Sequence, residues 1–332
     1  MRELKSPAFI ATAIIGLIVI LLAPHVLELN TVFNLTVYAI MAILALSLGL
    51  VWGMGGILSF GQTAFFGLGG YVYAVAALNF GDSTPALLVA IVIPIIFAAI
   101  VGYFAFFGRV SDVYFGVISL TMSLILFNLI NSTSGSGYRI GNAPLGGYNG
   151  IPSVPPLNLP FDPANALDFE GMFLAAALIL LAVYLGLRVF MKSSFGRIAV
   201  SVRENELRAE LLGYDVRLYK LGTFCIGAGI AGLAGALYAS WGSFIGPSAF
   251  SLSFAAQTII WVLLGGLGTL IGPIIGCFIV QFVTMWLGET KFINPNIALG
   301  LLFLVSVMVL PKGLAPVAQR VVSTLQRRGT AS

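Results

Sequence analysis

The sequence offers few side chains that could carry out enzyme chemistry. Its single histidine, His25, leaves almost no material for Ser-His-Asp catalysis or for a histidine metal site. The stretch 186–193 comes nearest to the phosphate-binding pattern GxxxxGK[ST], but Met191 stands where the second glycine belongs. Cys225 and Cys277 lie in apolar runs without metal-ligand spacing, and we expect them to be packing residues. The sequence therefore predicts no catalytic residue, no metal site and no cofactor bound by this chain.

Uncharged polar side chains inside the apolar runs could instead line a path for a solute. The candidates are Ser59, Gln62, Thr63, Tyr71, Ser119, Ser123, Asn128, Gln257 and Thr258. Each of them could equally bond to a neighbouring helix or to its own backbone. The apolar runs hold almost no carboxylate or lysine, the groups with which ion-coupled transporters commonly move protons or cations. We therefore expect the driving energy to come from elsewhere, and the solute to be zwitterionic, apolar and loosely bound.

The composition assigns the chain to the membrane class. Hydrophobic residues make up 59% of the 332 residues, charged residues 8%, and the mean hydropathy is +1.04. Residues 29–81 and 221–288 contain no Asp, Glu, Lys or Arg. Because roughly 20 apolar residues cross a bilayer, each of these windows must cross more than once. Strands of a barrel would alternate polar and apolar residues, so we expect an all-α, polytopic integral membrane protein.

Apolar runs between turn signals predict about ten membrane-spanning segments, with eight to ten as the range. The runs are 8–23, 32–51, 63–79, 85–107, 113–131, 171–190, 220–241, 253–264, 271–288 and 296–311. The first run is not expected to be a cleaved secretory signal, because the residues after it lack the small-x-small cleavage pattern.

Two glycine-rich stretches interrupt this pattern. The eighth run has only about twelve residues against the roughly 20 needed to cross, and it ends in LLGGLGTLIGPIIG, residues 263–276. The stretch 52–70, WGMGGILSFGQTAFFGLGG, has the same character. Broken or re-entrant backbone is tolerated in a membrane only where protein buries it or water reaches it, so both stretches are candidate pathway elements. Alternatively, their glycines allow helices to pack closely.

The basic residues predict the orientation. If the N-terminus is cytoplasmic, all of the 16 lysines and arginines except Arg139 and Lys291 fall on the inner side, as the positive-inside rule requires. Residues 1–332 then form one transmembrane domain with both termini in the cytoplasm. Its tail, 312–332, lies inside, and the loop 132–170, rich in Asn, Gly, Pro and Ser, lies outside. That outer loop is either a cap or docking surface, or a loose connection.

Residues 191–219 form the predicted inner loop, and its centre, SVRENELRAELLGYDV, is dense in charge. Ser201 and Glu204 fit a capping box at the start of a helix. Apolar residues follow at helical spacing: Leu207, Leu211 and Leu212. Gly213 is suited to end the helix in a left-handed conformation. We therefore predict a short amphipathic helix of roughly two turns.

Such a helix needs a partner surface. A Glu204–Arg208 pair adds only about 0.2–0.5 kcal/mol, and a helix this short does not persist alone. Alternatively, the loop is solvated and its basic residues only enforce topology. The interleaved acidic residues argue against that, because alternating charges fix register at protein contacts. They are Glu204, Glu206, Glu210 and Asp215.

Four blocks of sequence carry a family resemblance. They are GGILSFGQTAFFGLGGYVYA at 55–74, GGYNGIP at 146–152, SSFGRIAVSVRENELRAELLGYDVRLYKLGTFCIGAGIAGLAGALYA at 193–239, and IGPSAFSLSFAAQTIIWVLLGGLGTLIGPIIG at 245–276. In this order they are spread over residues 55–276 and resemble the LivM-like inner permeases of branched-chain amino acid importers of the ATP-binding-cassette (ABC) class. The resemblance implies a type II importer-like fold and a loop that docks on a cytoplasmic ATPase. The residues implied for this coupling are Arg203, Glu204, Asn205, Glu206, Arg208, Leu211 and Gly213.

The resemblance also implies the partners. They are a homologous second permease, two ATPases that bind ATP with magnesium, and a periplasmic solute-binding protein. The chain itself is expected in the bacterial inner membrane, in contact with lipid and with no nucleic acid. Gly213-Tyr214-Asp215 resembles some urea and short-amide members, whereas Leu267 and Pro273 fit the amino acid branch. Uptake of urea or short amides is therefore the alternative within the family. A stand-alone facilitator or an ion-coupled carrier is the alternative outside it.

Overall fold

Eleven α-helices make up most of the part of the chain that the structure describes. The computed structural model describes residues 7–135, 137–160, 162–290, 300, 301, 304, 313 and 314. Within these residues the helices are α1 (Pro7–Val26), α2 (Leu29–Leu48), α3 (Gln62–Phe80), α4 (Ser83–Phe107), α5 (Asp112–Ser132), α6 (Phe169–Lys192), α7 (Ser194–Glu204), α8 (Glu206–Leu211), α9 (Val216–Trp241), α10 (Leu252–Gly265) and α11 (Ile271–Thr290). The predicted tenth span, 296–311, and the tail, 312–332, lie outside the described residues except at single positions.

Eight helices of the described part are long and apolar enough to cross a membrane: α1 to α6, α9 and α11. The prediction of an all-α, multi-pass membrane protein is therefore confirmed. The eighth predicted span is α10, whose 14 residues reach about 21 Å at 1.5 Å per residue. A hydrocarbon core is about 30 Å thick, so α10 is too short to cross alone, as its sequence predicts.

Helix α9 forms the centre of the bundle, packed against α3 and α4. Glycines allow this close approach, since a Cβ atom placed on Gly69 of α3 would lie 2.3 Å from the carbonyl oxygen of Gly232 on α9. Gly232 in turn lies against the carbonyl of Ala90 on α4. Aromatic rings from four helices fill the space beside these contacts: Phe65, Phe106, Phe115 and Phe224. Helix α1 packs mainly on α6 at the periphery, and its hydrophobic side chains remain largely exposed.

The segment between α5 and α6, predicted as the outer loop, folds back onto the helix ends. It contains short strands that the sequence did not predict: β1 (Arg139–Ile140), β2 (Ala143–Pro144), β3 (Ile151–Pro152), β4 (Asn158–Leu159) and β5 (Asp162–Ala166). β1 pairs with β2 and β4 with β5, while β3 pairs antiparallel with β6 (Phe244–Ile245), which follows α9. The β3–β6 pair ties the segment to the connection between α9 and α10.

Side chains fasten this outer segment to α3 and α4. Asn79 donates a hydrogen bond of 2.9 Å to the carbonyl of Ile140 and accepts one of 2.8 Å from the amide of Asn142. Ser83 and Asn158 exchange two more. Four of its apolar side chains are buried: Ala143, Ile151, Val154 and Leu157. The segment is therefore a packed cap rather than a loose connection.

Asp82 links the cap to the start of α4. Its carboxylate accepts hydrogen bonds from the amide of Thr84, at 2.8 Å, and from the side chain of Asn158, at 3.1 Å. These bonds, that of the Thr84 amide first, lower the pKa of Asp82 below its ordinary value, because they stabilise the charged form.

Candidate functional site

The inner loop folds into two short helices, α7 and α8, that meet at Asn205. The Asn205 side chain accepts a hydrogen bond of 2.8 Å from the amide of Arg208 and so caps α8. The predicted capping box at Ser201 is wrong, because Ser201 lies inside α7 and donates to the carbonyl of Arg197. Ser193 caps α7 instead. Helix α8 therefore begins four residues later than predicted, with Asn205 rather than Ser201 as its N-cap. Asn205 takes an extended conformation, and its side chain competes for the backbone amides that follow it.

This break also changes the charge pairs of the loop. Glu204 pairs with Arg203 rather than with Arg208, since the two ends of the predicted pair lie on different helices. Glu206 pairs with Lys220 at the start of α9. The predicted Glu204–Arg208 pair is therefore wrong.

Helix α8 turns its leucines outward. The exposed fractions are 66% for Leu207, 81% for Leu211 and 71% for Leu212, while Ala209 is buried against Val202 and Val216. Gly213 ends the helix with φ +88°, a conformation that costs a residue with a side chain more than glycine. Three neighbouring exposed leucines on the predicted inner surface form an apolar patch of the kind found at contacts with other molecules.

Lys220 anchors α8 to the bundle. Its ammonium lies 2.9 Å from Asp112, the first residue of α5, and also pairs with Glu206. Lys220 is 9% exposed, and a buried charge of this kind is stable only when it is paired. Sequence reasoning missed this role, although a lysine at the start of an apolar run, just after a charged loop, could have drawn attention to it.

A cleft of about 400 Å³ opens beside α8. Charged side chains dominate its lining: Arg109, Asp112, Glu206, Glu210, Arg217 and Lys220. Leu207 also lines the cleft, so the exposed leucines adjoin its charged side chains there.

Both predicted glycine-rich breaks are present, and they meet. α2 widens into a turn over Gly49–Met54, and residues 55–61 are not helical. A Cβ atom placed on Gly53 would lie 3.2 Å from the amide nitrogen of Gly268, which follows α10. The second half of the stretch 52–70 is regular helix within α3, and there the glycines serve close packing. The glycines of the first half of that stretch therefore lie in a backbone break, and those of the second half allow close helix packing.

Arg203 of α7 reaches this meeting point. Its Nη1 donates a hydrogen bond to the carbonyl of Gly53. The side chain is 29% exposed. Of the residues predicted for coupling, Arg203 is thus turned toward the bundle, whereas Arg208 and Leu211 are exposed on the loop surface.

Five of the predicted pathway residues gather around the first break. The end of this break contains Ser59, and α3 then begins with Gln62 and Thr63. All three side chains are buried. Ser119 of α5 accepts a hydrogen bond of 3.0 Å from the amide of Phe60, and Ser123 bonds to the carbonyl of Ser119. Three buried side-chain oxygens here have no hydrogen-bond partner in the described structure: Ser59 Oγ, Gln62 Oε1 and Thr63 Oγ1. Unpaired buried oxygens are unusual and suit a site that meets a solute or water.

The other four predicted pathway residues lie apart from this group. Tyr71 is buried beside the ring of Phe250, Thr258 bonds to the carbonyl of Phe254 in its own helix, and Asn128 is exposed. Gln257 borders a second cavity, of about 250 Å³. Its lining combines apolar side chains, Met41, Phe66, Tyr238 and Phe254, with the hydroxyl groups of serines 248, 251 and 253.

Comparisons with known proteins agree with this architecture. Residues 30–310 match the family model described as branched-chain amino acid transport system / permease component. The chain is 26% identical to the high-affinity branched-chain amino acid transport system permease protein LivM of Escherichia coli, over 96% of this chain and 80% of that protein. It is 30% identical to the probable branched-chain amino acid transport permease protein LivM of Methanocaldococcus jannaschii, over 75% of this chain and 73% of that protein. No solved structure matches the chain.

The matched family is one of transporters rather than enzymes. The match takes in both glycine-rich breaks, the outer cap and the inner loop. The chain belongs to the family of permease components of branched-chain amino acid transport systems.

Proposed function

We infer that this chain is the permease subunit of an ABC importer for branched-chain or other hydrophobic amino acids, and we propose that partner ATPases move it through the inner loop. The assembly would contain a second permease, two ATP-binding subunits that hold ATP with magnesium, and a periplasmic binding protein. It would lie in a bacterial inner membrane, with both termini of this chain in the cytoplasm and the cap outside.

The exposed face of α8 carries the proposal that an ATPase docks on the inner loop. The side chains of Leu207, Leu211 and Leu212 are exposed, although the loop itself is bonded to the bundle through Arg203 and Lys220. Apolar side chains in the middle and charges around them are typical of a protein contact. Arg208 and Glu210, exposed beside the leucines, would set the register of the partner.

A path for transmitting motion starts from the same helix. Glu206 of α8 is tied through Lys220 to Asp112 at the base of α5. Two turns further along α5, Ser119 holds the backbone of Phe60 in the first break. A displacement of α8 would therefore act on α5 and on the break, shifting the population between inward-open and outward-open states.

The cavity beside Gln257 supports an amino acid as the solute. The apolar lining residues Met41, Phe66, Tyr238 and Phe254 suit an apolar side chain, and the serines of the lining suit the charged amino and carboxylate groups. Urea has no apolar part that such a lining would bind. We therefore favour hydrophobic amino acids over urea or short amides.

Reconstitution in liposomes tests the assignment. We expect radiolabelled leucine to enter only when this chain, the second permease, the ATPases, the binding protein and ATP are all present. Uptake by this chain alone would contradict the proposal and would favour a facilitator or an ion-coupled carrier.

A matched pair of arginine substitutions tests the docking surface. In Arg208→Ala we expect a loss of about tenfold in ATPase stimulation and in uptake, because exposed arginines at contacts often contribute more than 1 kcal/mol. Arg197→Ala is the control, since Arg197 is exposed on α7 and bonds only within the loop, to the carbonyl of Lys192. Equal activity of the two variants would argue against docking at α8.

A further inference from the structure

The two glycine-rich breaks meet at their backbones. Gly53, in the widened end of α2, faces Leu267 and Gly268, which follow α10. A Cβ atom on Gly53 would lie 3.2 Å from the Gly268 nitrogen, and 3.9 Å from both the Cα atom and the side chain of Leu267. Besides the packing of α2 against α10 and α11, a side chain that bonds to either backbone from outside can therefore affect how the two breaks fit together.

The carbonyl of Gly53 is open to such a bond. The amides that follow it donate elsewhere in the widened turn: Gly55 to Leu50, Gly56 to Trp52 and Ile57 to Val51. The guanidinium of Arg203 donates to this carbonyl through Nη1. A charge-assisted bond of this kind is stronger than one between neutral groups.

The rest of Arg203 is fitted to the same place. Its stem lies on Gly56, where a Cβ atom would come within 2.7 Å of the Arg203 Cγ, and where φ is +72°. Its Nη1 lies 3.6 Å from a Cβ atom placed on Gly268. Glu204 pairs with Nε and Nη2, so one edge of the guanidinium is held by the loop and Nη1 is left for Gly53. Lysine has no such fork of donors.

We propose that Arg203 is a latch that holds the inner ends of the two breaks together, and that movement of α8 withdraws it and opens the pathway toward the cytoplasm. Arg203 is suited to this role because it lies two residues before Asn205, where the loop bends into α8. The inference rests on the proposed function, since it assigns the step by which the inner loop acts on the pathway. Arg203 is thus a positioning residue for the breaks.

Cysteine accessibility tests the latch without measuring transport. Ser59, which is fully buried at the end of the first break, is changed to Cys in a chain carrying Cys225→Ala and Cys277→Ala. The assembled importer in inside-out membrane vesicles, without ATP, is then treated with a membrane-impermeant maleimide. With Arg203 in place we expect slow labelling. In Arg203→Ala we expect labelling about tenfold faster, the effect of losing one charge-assisted hydrogen bond.

Two further variants distinguish the latch from other roles. Arg203→Lys should give an intermediate rate, because a lysine can reach Gly53 but cannot also hold Glu204 through a fork. Arg208→Ala should leave labelling slow while uptake falls, because Arg208 lies on the exposed side of the loop.

Two results would overturn the latch. One is labelling in Arg203→Ala as slow as in the parent, with equal amounts of membrane-inserted protein. The other is equally fast labelling in Arg203→Ala and Arg208→Ala, which would mean that the loop as a whole, and not the bond to Gly53, closes the breaks. In both cases the uptake defect of Arg208→Ala still reports separately on the proposed function.

Discussion

Lys220 is the residue that joins the inner loop to the membrane helices. It is nearly buried, and it pairs with one carboxylate from α5 and one from α8. Without the ammonium, the half-exposed carboxylates of Asp112 and Glu206 would face each other with no positive charge between them. The link between α8 and α5 therefore depends on a single ammonium group.

Lys220→Met tests this link. We expect the free energy of unfolding in detergent to fall by about 1–3 kcal/mol, because Asp112 and Glu206 lose their shared partner. We also expect faster proteolysis between α7 and α9, since α8 is released. Arg197→Met, at an exposed position, should change the stability by less than about 0.5 kcal/mol. Proteolysis of Lys220→Met at the parent rate would mean that α8 is held in place by other contacts.

Helix α8 differs from the membrane-spanning helices because it exposes leucines in a loop, where no hydrocarbon is expected to cover them. It is only six residues long, so its own backbone bonds cannot keep it folded, and Asn205, Gly213 and the Lys220 anchor maintain it. Its side chains divide into a buried one, Ala209, and exposed leucines. The two sides should respond differently to the same substitution.

Leu211→Ser and Ala209→Ser provide this comparison. Leu211 is 81% exposed, so Leu211→Ser should leave the thermal midpoint of the chain unchanged while reducing ATPase stimulation by the partners. Ala209 is 2% exposed, so Ala209→Ser should lower the midpoint by burying a hydroxyl among apolar groups. A drop in stability for Leu211→Ser would mean that this leucine packs within the chain.

The contact between α3 and α9 depends on glycines, because they let the two backbones approach closely. In Gly69→Ala we expect a loss of folded protein, because the new Cβ atom would lie 2.3 Å from the backbone of Gly232 and backbone cannot move aside cheaply. Gly186→Ala in α6 is the matched control, since nothing lies within 4 Å of its added Cβ atom. Size-exclusion profiles of the two variants in detergent should therefore differ, and similar profiles would contradict the packing role.

At the scale of the whole molecule, the two ends of the bundle differ. At one end the cap and its strands cover the helices with paired backbone and buried apolar side chains. At the other end α8 presents unpartnered leucines beside a charged cleft. This difference suits a chain that meets a soluble solute-binding protein on one side and an ATPase on the other.

Topology labelling tests that orientation. In a chain without Cys225 and Cys277, Tyr148→Cys in the cap should react with an impermeant maleimide in right-side-out vesicles, because Tyr148 is 70% exposed. Ser201→Cys, exposed on α7, should react only in inside-out vesicles. The reverse pattern would refute the predicted cytoplasmic position of the N-terminus.

The sequence by itself determined the membrane-spanning helices of the described part, the short α10 and the two breaks. Hydrocarbon leaves a chain only the helix as a way to satisfy its backbone, so apolar runs and glycines are enough to locate spans and interruptions. The exposed leucines of α8 and the left-handed Gly213 were likewise readable from local spacing. These features depend on neighbours along the chain and on the solvent around it.

Only the tertiary structure decided which residues act on one another. Arg203 meets Gly53 across 150 positions, and Lys220 meets Asp112 across 108. The same holds for the division of the polar residues into a group at the first break, with Ser119, and a separate cavity at Gln257. Such contacts follow from how helices pack, and small side chains that permit close packing leave no periodic signal that identifies the partner helix.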